Sequence, residues 1–345
     1  NGSCVSAGDF DKDGDIDLFV GGRSIPNRYP EADQSYLLKN ESKGSIVKFT
    51  PVQTESLASL GIVTTSVWYD INQDGWIDLI VAGELMPITI LENQKGKLVD
   101  KTEAYHLEKS HGMWSKIQLE DMDNDGDMDL IAGNAGLNSQ LKANEQEPLT
   151  ITYADFDQNE TIDPMICYFI QGKSYPMASL DETATQMPWI RKKFLKYHDY
   201  AQAGLSDLFT SEQLDKAKTK PVYTLATTYF ENTGKGIFKA QALPSFAQTS
   251  WVSGISTGDF NKDGKKDILL SGNFHPWRVQ LGKMDASHGI LLLGNGKGNF
   301  QASKPQQTGL LFTGDIRDMK AILIRNKPSF IFTRNQDKAG IVQLK

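Results

Sequence analysis

The sequence predicts an all-β fold, a propeller of about six or seven four-stranded blades, and three observations predict it. An acidic nonapeptide recurs five times along 345 residues, beginning at positions 9, 70, 121, 155 and 259. Each copy is bracketed by short apolar, often β-branched runs of strand length. The spacings centre on the length of one four-stranded blade.

The five loops come first, because their chemistry is the most restrictive. They read Asp9-Phe-Asp11-Lys-Asp13-Gly14-Asp15-Ile-Asp17, Asp70-Ile-Asn72-Gln-Asp74-Gly75-Trp76-Ile-Asp78 and Asp121-Met-Asp123-Asn-Asp125-Gly126-Asp127-Met-Asp129. The other two are Asp155-Phe-Asp157-Gln-Asn159-Glu160-Thr161-Ile-Asp163 and Asp259-Phe-Asn261-Lys-Asp263-Gly264-Lys265-Lys-Asp267. Side-chain oxygens at positions 1, 3, 5 and 9 suit a hard cation, and the main-chain carbonyl of position 7 adds another. Ca²⁺ takes about six to eight oxygens at roughly 2.3–2.6 Å. Up to five calcium ions are therefore expected. An EF-hand would carry a bidentate Glu at position 12, where this chain has Val20, Val81, Ala132, Ile166 and Leu270. Strand, loop, strand is the unit.

Loops beginning at Asp9 and Asp121 hold carboxylates at all four positions 1, 3, 5 and 9 and are expected to bind tightest, followed by those at Asp70 and Asp259. The Asp155 loop is expected to be weakest, since Glu160 replaces the glycine at a position needing φ > 0. A sixth, degenerate copy is read from Asp315, with Arg317 and Met319 at ligand positions and no metal.

Outer strands are legible at 35–38 and 46–49, at 88–91 and 98–99, and at 289–293 with Phe300. Residues 134–148 are polar and leave no room for outer strands there. A helical insertion is placed at 182–220, with Ile190, Phe194, Leu195 and Tyr197 on one apolar face. Strands resume at 222–230 and complete either the third blade or the fourth. The whole, 1–345, reads as one domain, and it begins at Asn1-Gly2 without Met, as a processed chain or a fragment would.

Charge and cysteines narrow the function classes. The net charge of −7 belongs to the loops, whose seventeen ligand carboxylates would be offset by five Ca²⁺, giving +3. No cluster of Lys and Arg marks a nucleic-acid footprint. No apolar run reaches membrane-spanning length. Cys4 and Cys167 lie in strand-like runs of different repeats and read as two buried thiols, the alternative being a disulfide that crosses the fold.

These loops and the strands after them resemble FG-GAP/VCBS repeats, the calcium blades also found in integrin α-chain propellers. Residues 8–22 and 121–134 are most similar to the ASPIC, or cartilage acidic protein-like, branch. The resemblance implies a non-catalytic, secreted or cell-surface module for adhesion or ligand recognition, within a larger surface assembly or alone.

Chain topology then points to a ligand face. If each loop joins a first to a second strand, the second-to-third connections and the approaches to each blade emerge opposite the metal. Those segments offer Arg23, Arg28, Glu84, Asn134, Asn138, Asn273, His275, Trp277 and Arg278, with Trp114 and Trp251 from the approaches. Amide, guanidinium, imidazole and indole groups suit a glycan or a protein ligand. The alternative is a carbohydrate-active enzyme, a polysaccharide lyase or hydrolase, pairing His275 with Glu84 or His111 with Arg23. No recognised catalytic motif accompanies either pair.

Overall fold

Each acidic loop lies between two antiparallel strands, as the flanking apolar runs demand. The computed structural model describes residues 2–343 except 235, 278–281 and 326, so Arg278 lies outside the described residues.

The first sheet contains β1 (Gly2–Gly8), β2 (Asp17–Gly22), β3 (Tyr36–Asn40) and β4 (Phe49–Val52) in that spatial order. The second repeats the order with β5 (Ile62–Tyr69), β6 (Asp78–Met86), β7 (Thr89–Asn93) and β8 (Leu98–Asp100). A short strand, β9 (Gly112–Met113), pairs with the far end of β6. The third sheet opens with β10 (Lys116–Glu120) and β11 (Asp129–Gly133) and is then interrupted.

The interruption is itself a sheet. It contains β12 (Leu149–Ala154), β13 (Asp163–Ile170), β14 (Lys173–Pro176) and, after five short helices, β15 (Lys218–Val222), in the order β14-β13-β12-β15. The helices are α1 (Leu180–Gln186), α2 (Ile190–Lys193), α3 (Tyr197–Ala201), α4 (Leu205–Leu208) and α5 (Ser211–Lys216). Only then do β16 (Thr228–Asn232) and β17 (Phe238–Ala242) complete the third sheet, β16 pairing with β11. The late strands thus belong to the third repeat. The insertion is larger than the helical segment at 182–220, because the whole Asp155 sheet belongs to it.

The next sheet holds β18 (Val252–Gly258), β19 (Asp267–Gly272), β20 (Ile290–Gly294) and β21 (Phe300–Ala302). The last described sheet has three strands, β22 (Ile316–Ile324), β23 (Lys327–Arg334) and β24 (Asp337–Gln343). Its first strand begins at Ile316, so the degenerate loop read from Asp315 is in fact the start of β22. β22 and β23 stay paired out to Ile324 and Lys327, at the end where the other sheets carry an acidic loop.

First strands of successive sheets pack side by side: β1 on β5, β5 on β10, β10 on β18, and β18 on β22. Strands inside this row are buried on both faces. Along β6, Leu79 and Val81 face the first sheet while Ile80 and Ala82 face the third, the two-residue alternation of a pleated strand. The row is therefore more deeply covered than the half-exposed strands its modest hydrophobic content suggests.

A hydroxyl ties each neighbour to the next. Ser3 Oγ donates to the carbonyl of Val63, Thr64 Oγ1 to Trp114 at 2.7 Å, Ser115 Oγ to Val252, and Ser253 Oγ to Ile316. All four stand six residues before the first Asp of their loop. Ser3, Thr64 and Ser253 fall at a break in strand register, as does Arg317 in the last sheet. A bulge turns that side chain out of the ladder and toward the adjacent sheet. In the Asp155 sheet the same position is Leu149, and that sheet stands outside the row.

Leu149, Ile151, Tyr153 and Val222 of the inserted sheet instead pack with Ile62, Leu85 and Trp251 of the row. Lys220 Nζ donates to the carbonyl of Pro30 at 3.1 Å. The inserted sheet covers the end of the row opposite the loops.

Candidate metal loops and ligand cleft

The loops share one internal geometry. Position 4 has positive φ in all five (Lys12, Gln73, Asn124, Gln158, Lys262), and so does position 6, including Glu160 at φ 67°. That double left-handed turn brings main-chain N–H groups onto the first carboxylate. Asp70 accepts from Asp74 at 3.0 Å and from Gly75 at 2.7 Å, and Asp155 accepts from Asn159 and Glu160 at 2.9 and 2.8 Å. Position 5 accepts from the N–H of position 7, as Asp125 does from Asp127 at 2.9 Å.

Position 9 closes the unit. Asp17, Asp78, Asp129, Asp163 and Asp267 are fully buried. Each takes the N–H of position 2 on one oxygen. In the row, the other oxygen takes a main-chain N–H at the end of the third strand: Asn40, Asn93, Asn232 or Gly294. Burial pushes Asp78 and Asp129 up to about 6, against the pull of those donors. One carboxylate thereby joins loop, second strand and third strand.

Whether these residues fit a cation is tested by their leftover oxygens. Asp9, Asp11 and Asp13, then Asp121, Asp123 and Asp129, then Asp155, Asp157 and Asp163, each bring ligand atoms within 4.8 Å of one another. Asp11 Oδ1, Asp121 Oδ1 and Asp157 Oδ1 are buried without a hydrogen-bond partner. A buried carboxylate oxygen without a donor is costly, and a divalent cation is the partner such clusters lack. These clusters could hold metal ions.

The first loop has a feature its sequence does not announce. Lys39, at the end of β3, places Nζ against Asp11 Oδ2 and 3.1 Å from Asp13 Oδ2. The corresponding third-strand residues are Glu92 beside the second loop and Glu231 beside the third, each immediately before the Asn that meets position 9. An ammonium inside the cluster opposes a metal ion, so counting carboxylates alone overrates this loop.

The expected ligand residues separate into two groups. Trp114 is fully buried, with Nε1 donating to the Ser110 carbonyl at 2.8 Å, and it packs on Phe230. Trp251 is buried and stacked on Phe274, 4.9 Å between centroids. Asn134 and Asn273 are buried and hold main chain together: Asn134 to Thr224 and Met113, Asn273 to Ser287 and Gly314. Glu84 is buried and takes Arg23 Nη2 at 2.7 Å. These side chains hold sheets and the insertion in place rather than lining open surface. Tryptophan at a strand approach has an apolar body too large to leave wet: Trp114 is buried between the second and third sheets, and Trp251 packs with residues of the inserted sheet.

Arg23, Arg28, Asn138, His275 and Trp277 remain at least partly exposed. Arg28 pairs with Glu31 at 2.7 Å. Asn138 and Trp277 come together in a cleft of about 540 Å³ with Ser139, Gln140, Lys283 and Asp285. His275 Nε2 lies 2.9 Å from Asp285 Oδ1 at its edge. The catalytic pairings read from sequence do not form, since Glu84 is taken by Arg23 and His111 is half-buried against Tyr223. Lys283 and Asp285 carry no sequence signal beyond lying in the same β19–β20 connection as His275.

Tandem four-stranded antiparallel sheets, each with an acidic hairpin loop between two of its strands, define a repeat protein of the all-β class. A family described as FG-GAP-like repeat matches residues 9–81, 70–132 and 199–270, more than half of the chain, and the chain belongs to that family. No curated protein matches it. Among solved structures, an exotype rhamnogalacturonan lyase, YesX, is 12% identical with a TM-score of 0.39, covering 99% of this chain. The chain spans only 55% of that lyase. The V. cholerae biofilm matrix protein Bap1 is 9% identical with a TM-score of 0.28, covering 98% of this chain and 76% of that one. Both are too distant to carry an activity over.

Among the described residues no helix is long and apolar enough to cross a membrane. Cys4 and Cys167 are free, and burial pushes the Cys167 thiol up to about 12.

Proposed function

We propose that this chain is a calcium-stabilised propeller-type module of the cell exterior that binds a glycan or protein ligand at the end opposite its acidic loops. The observation that carries this reading is the cleft holding Trp277, Asn138, Gln140, Lys283 and Asp285. An indole face with amide, ammonium and carboxylate groups around it is the mixture a polyol or peptide surface needs. The ions are assigned to the loops on the strength of the unpartnered carboxylate oxygens, and their work is structural. The third loop, with four carboxylates and Glu231 nearby, ranks first, and the Lys39-occupied first loop falls behind it.

Binding is tested on an array of glycans and surface-protein fragments with Ca²⁺ present. Combined Trp277→Ala and Asn138→Ala should weaken the selected ligand at least tenfold while circular dichroism shows the variant still folded at the assay temperature. Full binding by that variant sinks the assignment of the cleft.

A second reading rests on the His275–Asp285 pair beside the same cleft, which is an arrangement for proton transfer. On that reading the chain is a carbohydrate-active enzyme. Incubation with a polysaccharide panel should then release unsaturated or reducing ends, and His275→Gln should abolish them.

A further inference from the structure

A cleft of about 460 Å³ separates the second and third acidic loops, lined by Asn72, Gln73, Glu92, Tyr105, Asp127 and Asn232 among others. The Tyr105 hydroxyl donates to Glu92 Oε1 at 2.8 Å, and Gln73 Nε2 donates to Asp127 Oδ1 at 3.3 Å. The second oxygen of each carboxylate takes no donor among the described residues, and no described Lys or Arg pairs with either group. Neither carboxylate is a loop ligand: Glu92 ends β7, and position 7 of the third loop offers its ion the Asp127 carbonyl rather than the side chain.

Asn232 points independently to a missing partner. It lines the cleft at 3% exposure, and its Oδ1 is buried with no hydrogen bond, the one such atom of the lining among the described residues. Its counterpart in the second sheet, Asn93, is fully used. There Nδ2 crosses to the Phe10 carbonyl of the first loop at 2.7 Å, and Oδ1 takes the Gly96 N–H at 2.7 Å. Asn232 Nδ2 stays within its own sheet, on the Met128 carbonyl at 3.3 Å. A buried acceptor left without a donor is costly, so something that donates belongs in the cleft.

The flanking junctions hold a lysine where this one does not. Between the first and second loops, position 4 meets position 7 as Lys12 over the Trp76 ring, 4.4 Å away. Between the third loop and the Asp259 loop, Asn124 and Lys265 come together at Gly296. Between the second and third loops the same two positions are Gln73 and Asp127. Ca²⁺ in both of these loops would offset four of their seven ligand carboxylates. Glu92 and Asp127 then add two charges to the three that remain.

Every unsatisfied group named here is an acceptor, and a hydrated cation is a shell of donors. Among the described residues, the carboxylates whose oxygens converge within 4.8 Å are the loops' own, and neither Glu92 nor Asp127 is among them. The cleft is therefore too wide to strip an ion of its water. Mg²⁺ gives up water reluctantly and is held by one or two carboxylates. Its six waters need roughly 180 Å³ at about 30 Å³ each, which the cleft accommodates.

We infer that this cleft binds one hydrated divalent cation, Mg²⁺ by its chemistry, through the ion's water shell, in the place that lysine holds at the two flanking junctions. The site is separate from the loop ions, which meet carboxylates directly, and from the ligand cleft at the other end of the molecule.

The test is calorimetric titration of the Ca²⁺-loaded full chain with cobalt(III) hexammine, in about 0.1 M NaCl to screen exposed charge. The ammine ligands do not exchange, so this complex mimics hexahydrated Mg²⁺ and cannot enter a loop. One saturable site is expected, displaced by Mg²⁺. Glu92→Gln with Asp127→Asn should weaken it at least tenfold while equilibrium dialysis gives the wild-type calcium count, since the Asp127 carbonyl is kept. Asp127→Lys, which supplies the ammonium of the flanking junctions, should abolish it.

Wild-type affinity in the Glu92 and Asp127 pair overturns the inference, as does binding that Mg²⁺ fails to displace. No saturable binding overturns it too and leaves the cleft to water. Lys235 lies between Gly234 and Gly236, outside the described residues. Binding that appears only in Lys235→Gln would give the cleft to that side chain and overturn the inference likewise. The calcium count of the wild type tests the loops separately.

Discussion

The Asp121 sheet and the Asp155 sheet carry the same kind of acidic loop and do different work. In the first, the leading strand β10 lies at the edge of its sheet, so it can pack against its neighbours β5 and β18. In the second, the leading strand β12 is flanked on both sides, by β13 and by β15. A strand already paired on both edges cannot offer an edge to a neighbouring sheet. Its position six residues before the loop holds Leu149 rather than a hydroxyl, and Leu149 packs into the apolar layer against the row. The position-9 carboxylates differ likewise. Asp129 is held by main chain of β16, whereas Asp163 is held by the Gln186 side chain at the end of α1, 2.7 Å away. A metal loop secures a hairpin. Its neighbours decide where that hairpin goes.

Chelation should give the largest effect. At a hundredfold excess over Kd each filled loop adds about 2.7 kcal/mol. Removing Ca²⁺ from several loops should therefore lower Tm by roughly 10 °C or more for a chain of this size. An unchanged Tm after exhaustive EDTA would end the structural role assigned to the ions.

Asp155→Asn with Asp157→Asn should sharpen the contrast. Hydrogen exchange should accelerate across 149–222 while β5, β6 and β18 keep their protection, because the insertion has its own core. Loss of protection throughout the row would show that the two parts fold as one.

Changing Lys39→Met should raise the affinity of the first loop about tenfold, equivalent to roughly 1.4 kcal/mol, by removing the ammonium from Asp11 and Asp13. Terbium luminescence sensitised by Trp76 reports it, since Lys12 of that loop lies 4.4 Å over the Trp76 ring. Unaltered affinity would mean that Lys39 swings clear when metal enters.

Ser115→Ala should cost about 1–2 kcal/mol, because it strands the Val252 carbonyl in the gap between two sheets. Smallest of all, Glu160→Gly should stabilise the insertion by up to about 1 kcal/mol through relief of its positive φ. Urea unfolding measures both.

Much of this was legible in the residues. The loops, their flanking strands and the strain at Glu160 follow from local pattern, since a turn with two left-handed positions and acidic ligands is specified within nine residues. The position-9 partners were half legible: Asn40, Asn93 and Asn232 each end a third strand, yet only the fold shows their N–H groups reaching the buried carboxylate. Trp114 and Trp251 were misread because residue type and topological position place a side chain at an end of the molecule without saying whether something covers it. For Trp251 the cover includes the inserted sheet; for Trp114 it is the junction of the second and third sheets, with Phe230 brought back from a distant stretch of chain.

By itself, then, the sequence determined the hairpin units, their acidic turns and the all-β class, all of which are set by contacts a few residues apart. Tertiary structure alone decided that the fourth hairpin leaves the row, that β16 pairs with β11 across nearly a hundred intervening residues, and that Lys39 enters the first loop. The reason is physical: strand pairing and burial are settled between segments remote in sequence, and neither residue periodicity nor motif spacing encodes which partner is nearest in space.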